Sequence, residues 1–109
     1  MKIKRYGQLI NVKPEKLDYY KKLHTKPWPC VLAKIEECNI RNYTIFLTPN
    51  NQLFACFEYI GNNFEADMKK MSKDECTQNW WKETDPCQES LTGKSGGGWL
   101  NLEEVFHVD

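Results

Sequence analysis

Hydrophobic and polar residues alternate along two stretches in the middle of the chain, at positions 41–48 and 52–60. Alternation of this kind is typical of β-strands that direct one face to a protein interior. The Pro-Asn-Asn sequence at 49–51 separates the two stretches and favours a tight turn. The pattern therefore predicts a β-hairpin, and similar stretches predict a first strand over residues 3–12 and a final strand over residues 100–108.

Four other segments carry hydrophobic residues at intervals of three and four positions, which is the spacing of one helix face. The first segment follows Pro14 and is separated from the second by Pro27-Trp28-Pro29, a sequence that cannot continue one straight helix. The fourth follows Ser72-Lys73-Asp74-Glu75, which has the form of a capping box. The apolar positions of the four predicted helices are Leu17, Tyr20 and Leu23, then Trp28, Val31, Leu32, Ile35 and Cys38, then Phe64, Met68 and Met71, then Cys76, Trp80 and Trp81.

The predicted order is strand, helix, strand, strand, helix and strand, if each interrupted helix pair is counted once. This is the order of the ferredoxin-like fold, an α+β fold in which helices cover one face of an antiparallel sheet. Both faces of the hairpin are apolar, with Tyr43 and Ile45 on one and Phe46 and Phe54 on the other. Because the helices cover only one face, we expect a single domain over residues 1–109 that forms a homodimer through the other face.

The composition excludes several functional classes. Fifteen basic and fifteen acidic side chains give no net charge, whereas nucleic-acid binding relies on a basic excess. Apolar runs such as 53–57 are too short to cross a membrane, and the first residues lack the apolar stretch of a secretory signal, so we expect a soluble cytoplasmic protein. The five cysteines are odd in number and without ligand spacing, which favours reduced thiols and predicts no metal.

Two histidines limit the search for acid/base chemistry. His24 lies four residues after Tyr20 and four before Trp28, so helical spacing brings the three rings together. Imidazole exchanges protons near neutral pH, which suits it to general acid/base catalysis. Two interpretations of His24 are open. It is either a catalytic residue in a cleft or a partly exposed helix residue bonded to a carbonyl. His107, on the predicted final strand, either faces the same cavity or is a hydrogen-bonded sheet histidine.

The adjacent side chains of Trp80 and Trp81 cannot both pack into the same hydrophobic core, because neighbouring helix positions point about 100° apart. We expect one indole to pack in the interior, while the other lines a pocket or caps the dimer interface. Tyr43 either extends its hydroxyl into that pocket or is simply half-buried. The segment 85–98, which includes three consecutive glycines, is predicted to be a long loop without the spacing of a phosphate-binding motif.

The ordered set of motifs resembles the L-rhamnose mutarotase family. These motifs are Tyr20-x3-His24-x3-Trp28-Pro29, Arg41-Asn42-Tyr43, Gln78-Asn79-Trp80-Trp81 and Glu103-Glu104-Val105-Phe106-His107. The resemblance implies a ferredoxin-like dimer in which two sheets pack face to face as a dimeric α+β barrel. It also implies that His24 is the proton donor and that the sugar is contacted by Tyr20, Tyr43, Trp80 and Trp81.

A member of this family is expected to interconvert the α and β anomers of L-rhamnose without a cofactor. The ring oxygen gains a proton, the anomeric hydroxyl loses one, and the ring opens to an aldehyde that can close on either face. His24 would protonate the ring oxygen, whereas water, a carboxylate or a second tyrosine could take the anomeric proton. The alternatives are a mutarotase for another 6-deoxyhexose such as L-fucose, a non-catalytic sugar-binding module, and a cofactor-free monooxygenase of the same architecture.

Overall fold

The computed structural model describes residues 2–91 and 98–109, and these residues form five β-strands and four α-helices. The strands are β1 (Lys4–Val12), β2 (Ile40–Leu47), β3 (Gln52–Tyr59), β4 (Gln88–Glu89) and β5 (Leu100–Leu102). The helices are α1 (Leu17–Thr25), α2 (Pro29–Glu37), α3 (Phe64–Ser72) and α4 (Glu75–Thr84). Short 3₁₀ turns at Pro14–Lys16 and Asp85–Cys87 precede α1 and follow α4.

The strands form one antiparallel sheet in the order β2-β3-β1-β4, and β5 also pairs with β1. Along β3 the residues Leu53, Ala55 and Phe57 are buried, whereas Phe54 and Cys56 between them are only partly covered. One face of the sheet is therefore packed under the helices and the other is not. The predicted α+β fold, with an antiparallel sheet and helices on one face, is confirmed.

Two hydrophobic clusters join the helices to the covered face of the sheet. The first brings α1 onto the sheet and contains Ile10, Val12, Tyr20, Leu53 and Cys87. The second brings the end of α2 and the end of α3 onto the sheet and contains Cys38, Ile40, Phe57 and Met71. The same sheet face therefore carries the core and the floor of the site described below.

A β-bulge in β2 aims Tyr43 at the helices. Arg41 pairs with Glu58 and Thr44 with Cys56, so that two residues, Asn42 and Tyr43, lie opposite the single residue Phe57. Asn42 takes a φ of 53°, a left-handed conformation that asparagine tolerates better than most residues. The extra residue keeps Tyr43 on the covered face, where its ring lies 5.5 Å from that of Phe57 between centroids.

The final strand is shorter than predicted. β5 ends at Leu102, and the following residues are exposed, with Phe106 at 79%. The interpretation of His107 as a sheet residue is therefore wrong, and its Nε2 instead lies 2.7 Å from the Asp109 carboxylate on the surface. Alternation shows that these side chains suit a strand, but a strand also needs backbone partners, and β1 provides them only at residues 7–9.

Two local predictions also need correction. Helix α4 begins after Asp74, whose carboxylate accepts a hydrogen bond from the Thr77 amide, so Ser72 is not its N-cap. The predicted loop at 85–98 contains a 3₁₀ turn and β4, which pairs with β1, while residues 92–97 of that loop lie outside the described residues. No helix in the described part of the chain is long and apolar enough to span a membrane.

The prediction of five reduced thiols is wrong for one pair. Cys30 at the start of α2 and Cys76 at the start of α4 form a disulfide, with Cα atoms 6.2 Å apart. The two cysteines are separated by 46 positions, and only the packing of α2 against α4 brings them together. Their pairing therefore could not be read from spacing. Cys38, Cys56 and Cys87 remain free thiols.

Candidate active site

The break between α1 and α2 positions the imidazole of His24. Helix α1 ends because Lys26 leaves the helical region, at φ −137° and ψ 73°, and prolines follow it at 27 and 29. Helix α2 then starts at Pro29, with Trp28 as its N-cap residue. As a result His24 occupies the last turn of one helix and Trp28 the first turn of the next.

His24 is fixed by its own helix. Its Nδ1 lies 2.8 Å from the backbone oxygen of Tyr20, and a carbonyl can only accept, so Nδ1 carries a hydrogen in this bond. The imidazole ring lies 4.3 Å from the Tyr20 ring and 5.3 Å from the Trp80 ring, between centroids. The sequence left open that His24 is a helix residue bonded to a carbonyl, and this hydrogen bond is present. It does not exclude chemistry, because it leaves Nε2 available to a ligand.

The two adjacent tryptophans have different environments. Trp80 is only 8% exposed and meets the Trp28 ring edge to face at 5.1 Å. Trp81 is 36% exposed. One indole therefore belongs to the packed wall of the site, and its neighbour presents an accessible aromatic surface.

Two adjoining cavities meet at His24. The first, here called the tryptophan cavity, has a volume of about 290 Å³, and its wall includes Trp80, Trp81 and Trp99. The second, here called the apolar cavity, has a volume of about 500 Å³ and lies between α1, α2 and the end of β2. The tryptophan cavity is close to the lower end of the size range of small-molecule sites, about 300–1,000 Å³. Both cavities are also lined by Tyr20, Tyr43 and Trp80.

Three acidic side chains that line the tryptophan cavity, namely Tyr20, Tyr43 and Asp85, have raised pKa values. Burial raises the pKa of the Tyr20 phenol far above its ordinary value, and the Gln88 side chain opposes this rise only in part. Burial also raises the pKa of the Tyr43 phenol. Both phenols therefore stay protonated at neutral pH and act as hydrogen-bond donors or acceptors. The pKa of Asp85, which lines the same cavity, is raised by burial as well.

The five residues singled out in the sequence line one cavity, since Tyr20, His24, Tyr43, Trp80 and Trp81 all contribute to the tryptophan cavity. Sequence reasoning missed further lining residues with polar or aromatic groups, among them Gln8, Asp85, Gln88 and Trp99. The sequence places Asp85 only at the start of the predicted loop at 85–98. The signal that could have identified it was its position four residues after Trp81, one helical turn further along the same chain.

The arrangement suits proton transfer on a small polar ligand with apolar faces. It combines one imidazole, two protonated phenols, a carboxyl group and three indoles around a single cavity. Among residues 2–91 and 98–109, no group of three or more His, Cys, Asp and Glu side chains is placed to hold a metal ion. Acid/base chemistry by the side chains themselves is what this geometry offers.

Comparisons of the sequence with known sequences agree on one family. The sequence profile described as "L-rhamnose mutarotase" matches residues 5–108. The L-rhamnose mutarotase of Oceanobacillus iheyensis is 36% identical over 108 residues, which are 98% of this chain and all of that protein. The L-rhamnose mutarotase of Tolumonas auensis is 34% identical over 95% of this chain and 97% of its own. A crystal structure of an L-rhamnose mutarotase from Formosa agariphila has the same fold, with a TM-score of 0.76 over 97% of this chain and 99% of that chain at 20% identity.

Proposed function

The chain belongs to the L-rhamnose mutarotase family of isomerases, and we propose that it interconverts the α and β anomers of L-rhamnose by opening and reclosing the pyranose ring. The observation that carries this proposal is the tryptophan cavity, in which a tautomer-fixed imidazole lies beside accessible aromatic surface. The reaction needs a proton donor and a proton acceptor for the two oxygen atoms bonded to C1, and it needs no redox group.

His24 is the proposed proton donor to the ring oxygen. Its Nδ1–H is held by the Tyr20 carbonyl, so the form that donates to the sugar is the doubly protonated imidazolium, and the proton exchanged with the sugar is the one on Nε2. When the C1–O5 bond breaks, its electron pair goes to O5, which takes the Nε2 proton and becomes a hydroxyl, while the anomeric hydroxyl gives its proton to a base and its O–H electron pair forms the C1=O1 bond. Rotation about C1–C2 turns the aldehyde, and O5 then attacks the other face of C1 and returns its proton to Nε2. The imidazole is unchanged after each turnover.

The aromatic residues are proposed to hold the sugar while its ring is open. The phenols of Tyr20 and Tyr43 remain protonated and can hydrogen-bond to sugar hydroxyls. Trp81 offers an exposed indole face on which the C–H face and C6 methyl of L-rhamnose can stack. Trp80 contacts His24 directly and forms the wall behind it.

Saturation transfer between the two anomeric proton signals of L-rhamnose tests the function. We expect exchange faster than in buffer alone with the native protein, and a loss of about 10²–10⁴-fold in this excess rate for His24→Ala. The matched control is His107→Ala, because His107 is the second histidine of the chain and lines neither cavity. If His24→Ala folds and exchanges anomers as fast as the native protein, His24 is not the proton donor. If the native protein binds the sugar but leaves exchange at the buffer rate, the protein is a binding module.

L-Rhamnose is the proposed substrate because the family profile and the relatives carry its name. L-Fucose also has a C6 methyl group but differs in hydroxyl configuration. The same exchange measurement with L-rhamnose, L-fucose and a hexose that has a C6 hydroxyl ranks the substrates by kcat/KM. Faster turnover of L-fucose than of L-rhamnose would contradict this choice of substrate.

We also propose that the chain forms a homodimer through the outer face of the sheet, the face not covered by helices. The strand register places Leu9, Phe46, Phe54, Cys56, Leu100 and Leu102 on this face. Phe46 is 55% exposed in the isolated chain, and an apolar face of this kind favours association. A second copy presents the same face, which gives the self-complementary contact of a two-fold dimer.

Sedimentation equilibrium tests the dimer. The native protein is expected to have twice the mass of the chain, whereas Phe46→Glu combined with Phe54→Glu is expected to sediment as a monomer. The matched control is Ala33→Glu, which adds a carboxylate to an exposed position of α2 on the opposite layer. A native protein with the mass of one chain would show that the outer face is not a dimer interface.

We further propose that residues 1–109 form one domain and that the protein works in the cytoplasm. The profile match spans residues 5–108, and β1 near one end pairs with β5 near the other. Three cysteines are free thiols, which is usual in a reducing compartment. The disulfide between Cys30 and Cys76 would be open to reduction there, because Cys30 is exposed. Cell fractionation with thiol labelling before lysis tests the location.

A further inference from the structure

The proposed reaction leaves one proton without an assigned acceptor. When the ring opens, the anomeric hydroxyl must lose its proton so that C1 and O1 can form an aldehyde. The phenols of Tyr20 and Tyr43 do not suit this task, because burial raises the pKa of each above its ordinary value. A protonated phenol donates hydrogen bonds and is a poor base at neutral pH.

Asp85 is the carboxylate that lines the tryptophan cavity. It follows the last residue of α4 and begins the 3₁₀ turn that Pro86 continues, so its backbone is fixed at the point where the chain leaves the helix. The side chain is half-buried and shares the cavity wall with His24 and Trp81. Within residues 2–91 and 98–109, no side chain forms a hydrogen bond or an ion pair with this carboxylate. Among the described residues, this carboxylate therefore has no hydrogen-bond donor, and it lines the same cavity as the imidazole.

The neighbouring carboxylates are placed differently. Glu83 accepts a hydrogen bond from the Tyr19 hydroxyl, and Glu89 is exposed on β4. In the part of the chain that the structure describes, Asp85 is the sole acidic residue on the wall of the tryptophan cavity. The segment 92–97, which the structure does not describe, has the sequence Thr-Gly-Lys-Ser-Gly-Gly and contains no carboxylate.

We propose that Asp85 is the general base that takes the proton of the anomeric hydroxyl, in an inference that rests on the proposed function. The O1–H electron pair forms the C1=O1 bond, and the proton passes to the Asp85 carboxylate. The C1–O5 pair goes to O5, which receives the proton of His24. In the open-chain state Asp85 is protonated and His24 is neutral, and ring closure returns both protons. Acid and base therefore act on the two oxygens of C1.

The surroundings of Asp85 suit this role. Burial raises the pKa of its carboxyl group, which makes the ionised form a stronger base than an exposed aspartate. The negative end of the α4 dipole lies at the same place and has the same effect. Such a group can take up a proton and release it again in every turnover.

The test compares Asp85→Asn with the matched variant Asp18→Asn, which makes the same chemical change at an exposed position of α1 outside both cavities. Anomer exchange of L-rhamnose is measured by saturation transfer, and thermal unfolding checks that each variant is folded. We expect Asp85→Asn to lose about 10²–10⁴-fold in kcat with little change in KM, because the amide can hydrogen-bond but cannot accept the proton. Asp18→Asn is expected to match the native protein. If Asp85→Asn does not fold, Asp85→Ser takes its place in the same comparison.

Chemical rescue separates a base from a structural residue. In Asp85→Gly, added formate is expected to restore exchange in proportion to its concentration, and it should not stimulate His24→Ala. Absence of rescue, an unchanged kcat in Asp85→Asn, or a rise in KM alone would overturn the role of Asp85 while leaving the proposed function intact. A native protein that does not accelerate exchange would instead overturn the proposed function.

Discussion

The indole of Trp28 meets the indole of Trp80 edge to face, with ring centroids 5.1 Å apart. The disulfide between Cys30 and Cys76 joins the same two helices, two residues from Trp28 and one helical turn from Trp80. Because Trp80 also contacts the ring of His24, the covalent bond and the aromatic pair together fix the wall against which the imidazole rests. The indole contact and the disulfide are thus two separate attachments between helices that are distant in sequence.

Removing the disulfide should lower stability without removing the fold. Its cysteines are 46 positions apart, and closing a loop of this length in the unfolded chain stabilises a protein by about 4 kcal/mol in the chain-entropy account. We expect Cys30→Ala combined with Cys76→Ala to lower the unfolding free energy by up to that amount in urea titrations. A reductant should lower the native protein to the same level and leave the double variant unchanged. An unfolding midpoint that does not respond to reductant would show that the bond is absent in solution.

Trp80 and Trp81 should respond differently to truncation. Trp80→Ala removes a buried indole from between His24 and Trp28 and is expected to lower the unfolding free energy by about 3–5 kcal/mol. Trp81→Ala removes an indole that is 36% exposed and is expected to cost about 1 kcal/mol or less. If Trp81 stacks on the sugar as proposed, its loss should raise KM for L-rhamnose about tenfold, or ~1.4 kcal/mol. An unchanged KM in Trp81→Ala would remove it from the binding site.

The sequence predicted the fold well where side-chain pattern and backbone pairing agree. Both strands of the hairpin and the interruption between α1 and α2 were predicted within a few residues, because alternation and proline act locally. The prediction of the last strand was wrong beyond Leu102, because Val105 and Phe106 have strand character but pair with no strand among the described residues. The prediction of five reduced cysteines was wrong because the disulfide forms only when α2 packs against α4. The spacing of cysteines along the sequence does not show that contact.

The site was predicted in part for a similar reason. Tyr20 and His24 lie at helical spacing on α1 and both line the tryptophan cavity, as predicted, whereas Trp28 lies beyond the α1–α2 break, contacts Trp80 and lines neither cavity. Asp85 and Trp99 come from a segment without periodicity, and only the sheet and the end of α4 bring them to the cavity. The sequence therefore predicts only a loop at the position of Asp85 and gives no sign that its carboxylate reaches the site.

Gly61 should not tolerate a side chain. A Cβ added at this position would overlap the Tyr59 hydroxyl and lie 2.8 Å from an oxygen of Asp67. Tyr59 cannot move aside easily, since its ring is buried and its hydroxyl donates to Asp67. We expect Gly61→Ala to lower the unfolding free energy by about 1–3 kcal/mol in urea titrations.

A double-mutant cycle tests that cause for Gly61. Tyr59→Phe removes the hydroxyl oxygen, so Gly61→Ala should cost less in the Tyr59→Phe background than in the native protein. Gly7→Ala is the control, because a Cβ at Gly7 would meet its nearest neighbour at an ordinary 3.5 Å. Equal costs of Gly61→Ala in both backgrounds would show that the Tyr59 hydroxyl is not responsible.

Asp67 should make the stability of the protein depend on pH in acid. Its carboxylate accepts hydrogen bonds from the Tyr59 hydroxyl and the Asn39 amide, and these bonds, with Lys70 nearby, lower its pKa below the ordinary value. A lowered pKa in the folded state means that the stabilisation is complete above the unfolded pKa, about 3.9, and is lost as pH falls further through the folded pKa. We therefore expect the unfolding free energy to decrease below about pH 4. In Asp67→Asn the decrease should be shallower and the stability at pH 7 lower, because the amide does not titrate and replaces an ionised acceptor. The control is Glu65→Gln, which changes an exposed acidic position on the same helix. If the unfolding free energy falls equally steeply with acid in Asp67→Asn and in Glu65→Gln, Asp67 is not the source of the pH dependence.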